Sequence, residues 1–104
     1  MSGLKINIRM EILDSLADDA EGIEQIESLF KVWFNDTITD KVQILAEIKQ
    51  LLLEKLIYIA HHDKEENYNW YAMTPEGRAM WDTFDWSTYL EQTKYLRRED
   101  DGLN

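Results

Sequence analysis

Apolar positions along this chain recur first at helical and then at strand spacing. Leu4, Ile8, Ile12 and Leu16 stand four apart, with Met10 and Leu13 widening the stripe, which predicts a helix over about Lys5 to Ala17. The alternation of Leu4, Ile6, Ile8 and Met10 also suits a short strand, but the longer four-residue repeat favours helix. Asp18-Asp19-Ala20-Glu21-Gly22 interrupts the pattern, with Asp19 placed to cap a second helix from about Glu21 or Gly22 to Phe34. Its stripe is Ile23, Ile26, Phe30 and Trp33, with Leu29 beside it, and Glu21, Glu24 and Glu27 suit the positive end of its dipole. After Asn35-Asp36-Thr37, Thr39 or Asp40 caps a third helix that reaches about Lys55. Gln43 completes a capping box if Asp40 is the cap, and Ile44, Leu45, Ile48, Leu51, Leu52 and Leu56 face inward.

The period then shortens. Leu56-Ile57-Tyr58-Ile59-Ala60 is β-branched and aromatic, as a strand requires; His62 to Asn67 is a polar loop, and Tyr68 to Met73 is the returning strand. Thr74-Pro75-Glu76-Gly77 supplies a cap, a proline at the first helical position and an acid in the first turn. The helix that follows carries Ala79, Met80 and Phe84 inward and ends near Asp85. Ser87 caps a final helix to about Arg98, and Glu99–Asn104 is expected to fray. The organisation expected is one domain: residues 1–86 form the main fold, and residues 87–104 add a C-terminal helix and tail to it.

Composition changes this picture in one respect. The apolar content of 44% is that of a globular domain, but 21 acidic residues against 11 basic give a net charge of -10. Nine of the acids lie within residues 11–40, where Lys31 is the only cation. A field of one sign repels phosphate and attracts basic surfaces. The absence of cysteine excludes disulfides and thiolate metal sites. The short apolar runs and an N-terminus unlike a signal peptide lead to the expectation of a cytoplasmic protein.

Leu45, Leu51 and Leu56-Ile57, then a hairpin, then Tyr71-Ala72-Met73-Thr74-Pro75-Glu76-Gly77-Arg78, form a pattern that resembles winged helix-turn-helix regulators of the MarR and PadR type. Such proteins often end the third helix in an L-x-x-x-G-L-I phrase and follow the wing with Y/F-x-L-T-x-x-G-R. Here Glu54-Lys55-Leu56-Ile57 lacks the glycine, so the helix must reach the strand through a non-glycine turn, and Met73 replaces the usual leucine. The resemblance covers roughly residues 8–84. It implies an α+β, mainly helical fold: three helices, a β-hairpin wing and a helix, with an added C-terminal helix. It specifies function only weakly.

In this fold the third helix enters the major groove. Residues three or four apart give a candidate recognition face of Asp40, Gln43, Glu47, Gln50 and Glu54, which holds three carboxylates, two amides and no cation. Glutamine reads adenine and a carboxylate accepts from cytosine, but phosphate neutralisation supplies most non-specific affinity. Lys41, Lys49, Lys55 and Lys64 are the candidate phosphate contacts, and the wing tip, His62-Asp63-Lys64-Glu65-Glu66-Asn67, is acidic. The expectation is therefore a non-enzymatic regulatory or adaptor protein that contacts a basic protein partner, with a DNA-binding transcriptional regulator as the alternative. Trp86, Tyr89, Leu90 and Tyr95 are candidates for a homodimer or partner interface, with completion of the core as the competing role for the rings.

Chemistry finds little purchase. His61-His62-Asp63 places adjacent imidazoles on opposite strand faces, which does not suit one metal ion, and no third histidine exists. Ser15, Ser28 and Ser87 lack a nucleophile elbow, and Gly22, Gly77 and Gly102 are isolated, so no phosphate-cradling loop is present. The remaining acids are expected on solvated helix surfaces and in turns. No enzyme activity, cofactor or metal is expected.

Overall fold

The computed structural model describes residues 6–33 and 41–94, apart from the side chain of Trp33. Within them the order is α1 (Ile8–Ser15), β1 (Glu21–Gly22), α2 (Ile23–Trp33), α3 (Lys41–Leu53), β2 (Ile57–Asp63), β3 (Tyr68–Met73), α4 (Pro75–Thr83) and α5 (Trp86–Thr93). The strands form one antiparallel sheet in the order β1-β3-β2. Ile12 and Leu13 of α1, Ile26 and Phe30 of α2, and Ile44, Ile48 and Leu51 of α3 meet Leu56, Ile57 and Tyr71 of the sheet in one core. Burial of these side chains contributes about 1.5–3 kcal/mol each and drives the assembly.

Helix α1 begins later than its periodicity predicts. Asn7 stays extended and its side chain accepts from the Met10 N–H, a stronger local preference than continuation of the helix toward Lys5. The acids are not all solvated: Glu11 lies on the inner face of α1, 1% exposed. Asp19 does not cap α2 either. Its carboxylate accepts from Ala20, and Glu21 and Gly22 instead pair with Tyr71 and Trp70 as strand β1. The start of α2 is held by tertiary contacts, since the Tyr68 hydroxyl accepts from the Glu24 N–H and donates to Gln25.

The expected caps Thr39 and Asp40 of α3 lie outside the described residues. At its other end the non-glycine turn is present. Lys55 sits at φ 60, its N–H donates to the Leu52 carbonyl, and the Leu56 N–H donates to Leu51. This is a Schellman closure, with Leu51 and Leu56 both buried beside it. A side chain in the left-handed region costs about 1–2 kcal/mol, and at Lys55 that cost keeps a cation at the end of α3.

Strand β2 runs on through His61-His62-Asp63, past the expected end at Ala60, with a register irregularity between Ile59 and His61. The tip is correspondingly shorter. Asp63 accepts from the Glu65 and Glu66 N–H groups, and Asn67 takes the left-handed position. Strand β3 spans the expected residues. Thr74 caps α4 by accepting from Gly77, as its sequence predicts, although Ala79 is exposed rather than inward. Asp85, not Ser87, caps α5, accepting from the Thr88 N–H; hydrogen bonding from the Thr88 side chain, and then from its backbone, lowers the Asp85 carboxyl below the usual range. An aspartate at that position is as strong a cap as serine and lies one residue before the helix.

Candidate nucleic-acid interface

Helix α3 is placed by its buried spine, Ile44, Ile48 and Leu51. At 3.6 residues per turn, the opposite side of the helix carries Val42, Ala46, Lys49 and Leu53, with Gln50 beside them. All five are exposed, Val42 at 73% and Leu53 at 76%. The solvent face of α3 is therefore apolar and cationic, and it is rotated by roughly a quarter turn from the stripe of amides and carboxylates that the sequence suggested.

The carboxylates lie on the flank that meets α1. Arg9 Nε donates to Glu47 Oε2 at 2.8 Å, while Nη1 and Nη2 donate to the two oxygens of Glu54 at 2.8 and 2.6 Å. The paired donors match the fork geometry in which guanidinium–carboxylate bonds are strongest. Gln50 Nε2 adds a fourth bond, to Glu54 at 2.8 Å. The bonds from Arg9, and then from Gln50, hold the Glu54 carboxyl at about 2, well below its ordinary 4.5. Hydrogen bonding to Glu54 likewise holds Arg9 deeper in its protonated range, against the opposing effect of burial. One cation from α1 thus answers both carboxylates on α3.

Of the five residues expected to form the recognition face, Gln43 and Gln50 are exposed, Glu47 and Glu54 are ion-paired, and Asp40 lies outside the described residues. Lys41, Lys49, Lys55 and Lys64 are all exposed, and none forms an ion pair among the described residues. The wing adds His61 and His62 on β2, where His62 Nδ1 lies 2.6 Å from Asn69 Oδ1. Glu65 and Glu66 remain exposed at its tip. Arg9 is the residue that sequence reasoning missed. Its partners stand 38 and 45 residues away, and the signal available was that Lys5 and Arg9 are the cations of the first predicted helix.

The C-terminal candidates divide. Tyr89 is 7% exposed, and its hydroxyl accepts from the Asn7 N–H. Trp86 is half-buried, donates from its indole to the Trp81 carbonyl, and stacks edge-on with Phe84 and Tyr89. Leu90 stays 43% exposed, and Tyr95 lies outside the described residues. Among those residues no cluster of three or more metal-ligating side chains forms, and no helix is long and apolar enough to cross a membrane.

No family model matches this chain, and no curated protein matches it. Among solved structures it matches BpsR of Bordetella bronchiseptica, at a TM-score of 0.61 and 19% sequence identity. The match covers 91% of this chain and 66% of that one, so the chain spans a little under two-thirds of the BpsR structure's length. That structure concerns the regulation of BpsR's DNA binding by 6-hydroxynicotinic acid. The fold is a winged helix-turn-helix. In this fold α3 is the third helix and the β2–β3 hairpin is the wing.

Proposed function

We propose that this chain is a DNA-binding transcriptional regulator of the winged-helix class. The observation that carries the reading is the Arg9 fork. It satisfies Glu47 and Glu54 from within the chain, which leaves Lys41, Lys49 and Lys55 as the charged groups that α3 offers to solvent. The case for a protein partner rested on the acidic third helix and the acidic wing tip; two of the helix's three carboxylates are accounted for, while Glu65 and Glu66 stay exposed on the wing. The net charge of -10 still sets a weak, salt-sensitive affinity, because the remaining acids repel a polyanion at long range.

The test is a fluorescence anisotropy titration of duplex DNA with the native chain and with Lys41→Ala and Lys49→Ala. Each substitution is expected to weaken binding on every sequence and to reduce the slope of log affinity against log salt by about 1. Unchanged slopes for both variants would refute the proposed contacts.

A homodimer suits the fold's use on two half-sites. The exposed apolar side chain of α5 is Leu90, and Tyr89 and Thr93 are committed to the chain's own packing. Leu90→Glu is expected to reduce the mass in light scattering from two chains to one, with the helical signal retained. A monomeric native chain would refute the dimer.

A further inference from the structure

We propose that the solvent face of α3 selects A·T base pairs by packing Val42 and Ala46 against thymine methyl groups; this specificity rests on the DNA-binding reading above. Two observations point to it. The first is the placement of apolar side chains where a recognition helix faces its ligand. Val42 is 73% exposed, Ala46 lies one turn further along the same line, and Leu53 closes the row at 76% exposed. Exposed apolar groups in a row on one element mark a binding surface. In the major groove the only apolar feature of a base pair is the thymine 5-methyl.

The second observation is what surrounds them. Lys41 and Lys49 flank the pair and carry charge complementary to phosphate, and Glu47, which would accept from cytosine, is held by Arg9 on the α1 side. The solvent face of α3 has no arginine, the residue that most often reads guanine. Gln50 and Gln43 are exposed beside the apolar row, and glutamine pairs with the N6 and N7 edge of adenine, the partner of thymine. Gln50 already donates one N–H to Glu54, so its carbonyl oxygen and second N–H are what it presents outward. Residues four apart in a helix are about 6 Å apart along its axis, within reach of thymines one or two steps apart.

The experiment selects bound duplexes from a random library and then replaces each thymine of the selected site with deoxyuridine, which removes only the methyl. Selected sites are expected to be A·T-rich at the α3 contacts. Deoxyuridine at a contacted position is expected to weaken binding about fourfold, the effect of losing one buried methyl. Val42→Ser is expected to bind the thymine site about as weakly as the native chain binds the deoxyuridine site, and to show no further loss on deoxyuridine. Val42 is exposed, so this variant keeps the fold. DNA binding with G·C-rich selected contacts, or with no response to deoxyuridine, overturns the inference while leaving the DNA-binding reading intact. Failure to bind any duplex at low salt, with capture of a protein by the same face, overturns both.

Discussion

Gly77→Ala is expected to lower the unfolding midpoint by about 10–20 °C. The Cα of Gly77 lies against the main-chain carbonyl of Leu56, and a Cβ built there would overlap that oxygen. The obstruction is backbone and is pinned in place. The Leu56 carbonyl accepts from the Thr74 N–H at 3.1 Å, and the neighbouring Lys55 carbonyl accepts from the Thr74 hydroxyl at 2.7 Å. Relief requires α4 to lift away from the turn between α3 and β2, with loss of both bonds. Overpacking of this kind costs about 1–3 kcal/mol, and the upper end applies where neither side can yield. In a domain of about 100 residues each kcal/mol moves the midpoint by about 4–8 °C. The internal control is Gly22→Ala, where a Cβ would meet the end of the Tyr68 ring instead. That ring can swing aside, giving up its hydrogen bonds to Glu24 and Gln25, so the expected loss is smaller. Thermal unfolding followed by far-ultraviolet circular dichroism decides the matter. Equal shifts for the two variants, or a shift below about 4 °C for Gly77→Ala, would show that the contact with Leu56 is not rigid.

The same contact explains a sequence phrase in physical terms. In Thr74-Pro75-Glu76-Gly77-Arg78, the threonine caps α4 and ties down the carbonyl of Lys55, and the glycine permits the approach to Leu56. Arg78 donates to the Ala17 carbonyl at 2.8 Å and lies 5.3 Å from the centre of the Trp81 ring. The phrase therefore joins the C-terminal end of α1, the end of α3 and the start of α4.

Arg9→Ala is expected to weaken DNA binding on the order of tenfold while leaving the fold in place. The ion pairs are partly exposed, so their removal costs little stability. Its main effect is to leave Glu47 and Glu54 as bare carboxylates beside the phosphate-facing lysines, each worth about 1 kcal/mol of repulsion at about 4 Å in water. A second readout separates this from a general structural loss. In the native chain the Glu54 carboxyl titrates at about 2, and in Arg9→Ala it is expected to move back toward 4.5. Because the folded value is the lower one, the Arg9–Glu54 contribution to stability is complete above about pH 4.5. It is lost as pH falls through about 2, so the two proteins converge in stability on acidification. Carboxyl chemical shifts followed by nuclear magnetic resonance report this directly. An unmoved Glu54 midpoint in the variant would contradict the pairing, and unchanged DNA affinity would contradict its role.

The sequence made the hairpin legible because its signals are local. The β-branched run, the polar tip and the Thr-Pro cap each act within a few residues, and Tyr68–Met73 forms the strand those signals predict. A non-glycine turn was legible from the missing glycine in Glu54-Lys55-Leu56-Ile57, but its place at Lys55, which the helix was expected to include, is shown only by the structure. Strand β1 was not legible, because two residues carry no period and their pairing is decided by β3, some 50 residues away. The inward side of α3 was legible, since Ile44, Ile48, Leu51 and Leu56 are buried as their spacing predicts. Its outward stripe was not, because the flank that carries Glu47 and Glu54 is decided by Arg9, 38 and 45 residues away. The structure exposes Val42 and Leu53 and keeps the flank of Glu47 and Glu54 for Arg9. The aromatic residues of α5 posed the same problem: a ring that completes a small core and a ring that meets a partner look alike in sequence. The Asn7–Tyr89 bond assigns Tyr89 to the core.

The most direct measurement is the affinity of the native chain for duplex DNA at several salt concentrations between 50 and 200 mM. With Lys41, Lys49, Lys55 and Lys64 on phosphate, log affinity is expected to fall linearly with log salt at a slope of about -3 to -4 per chain. No binding at the lowest salt, or binding that salt leaves unchanged, would contradict a winged helix that grips DNA through α3.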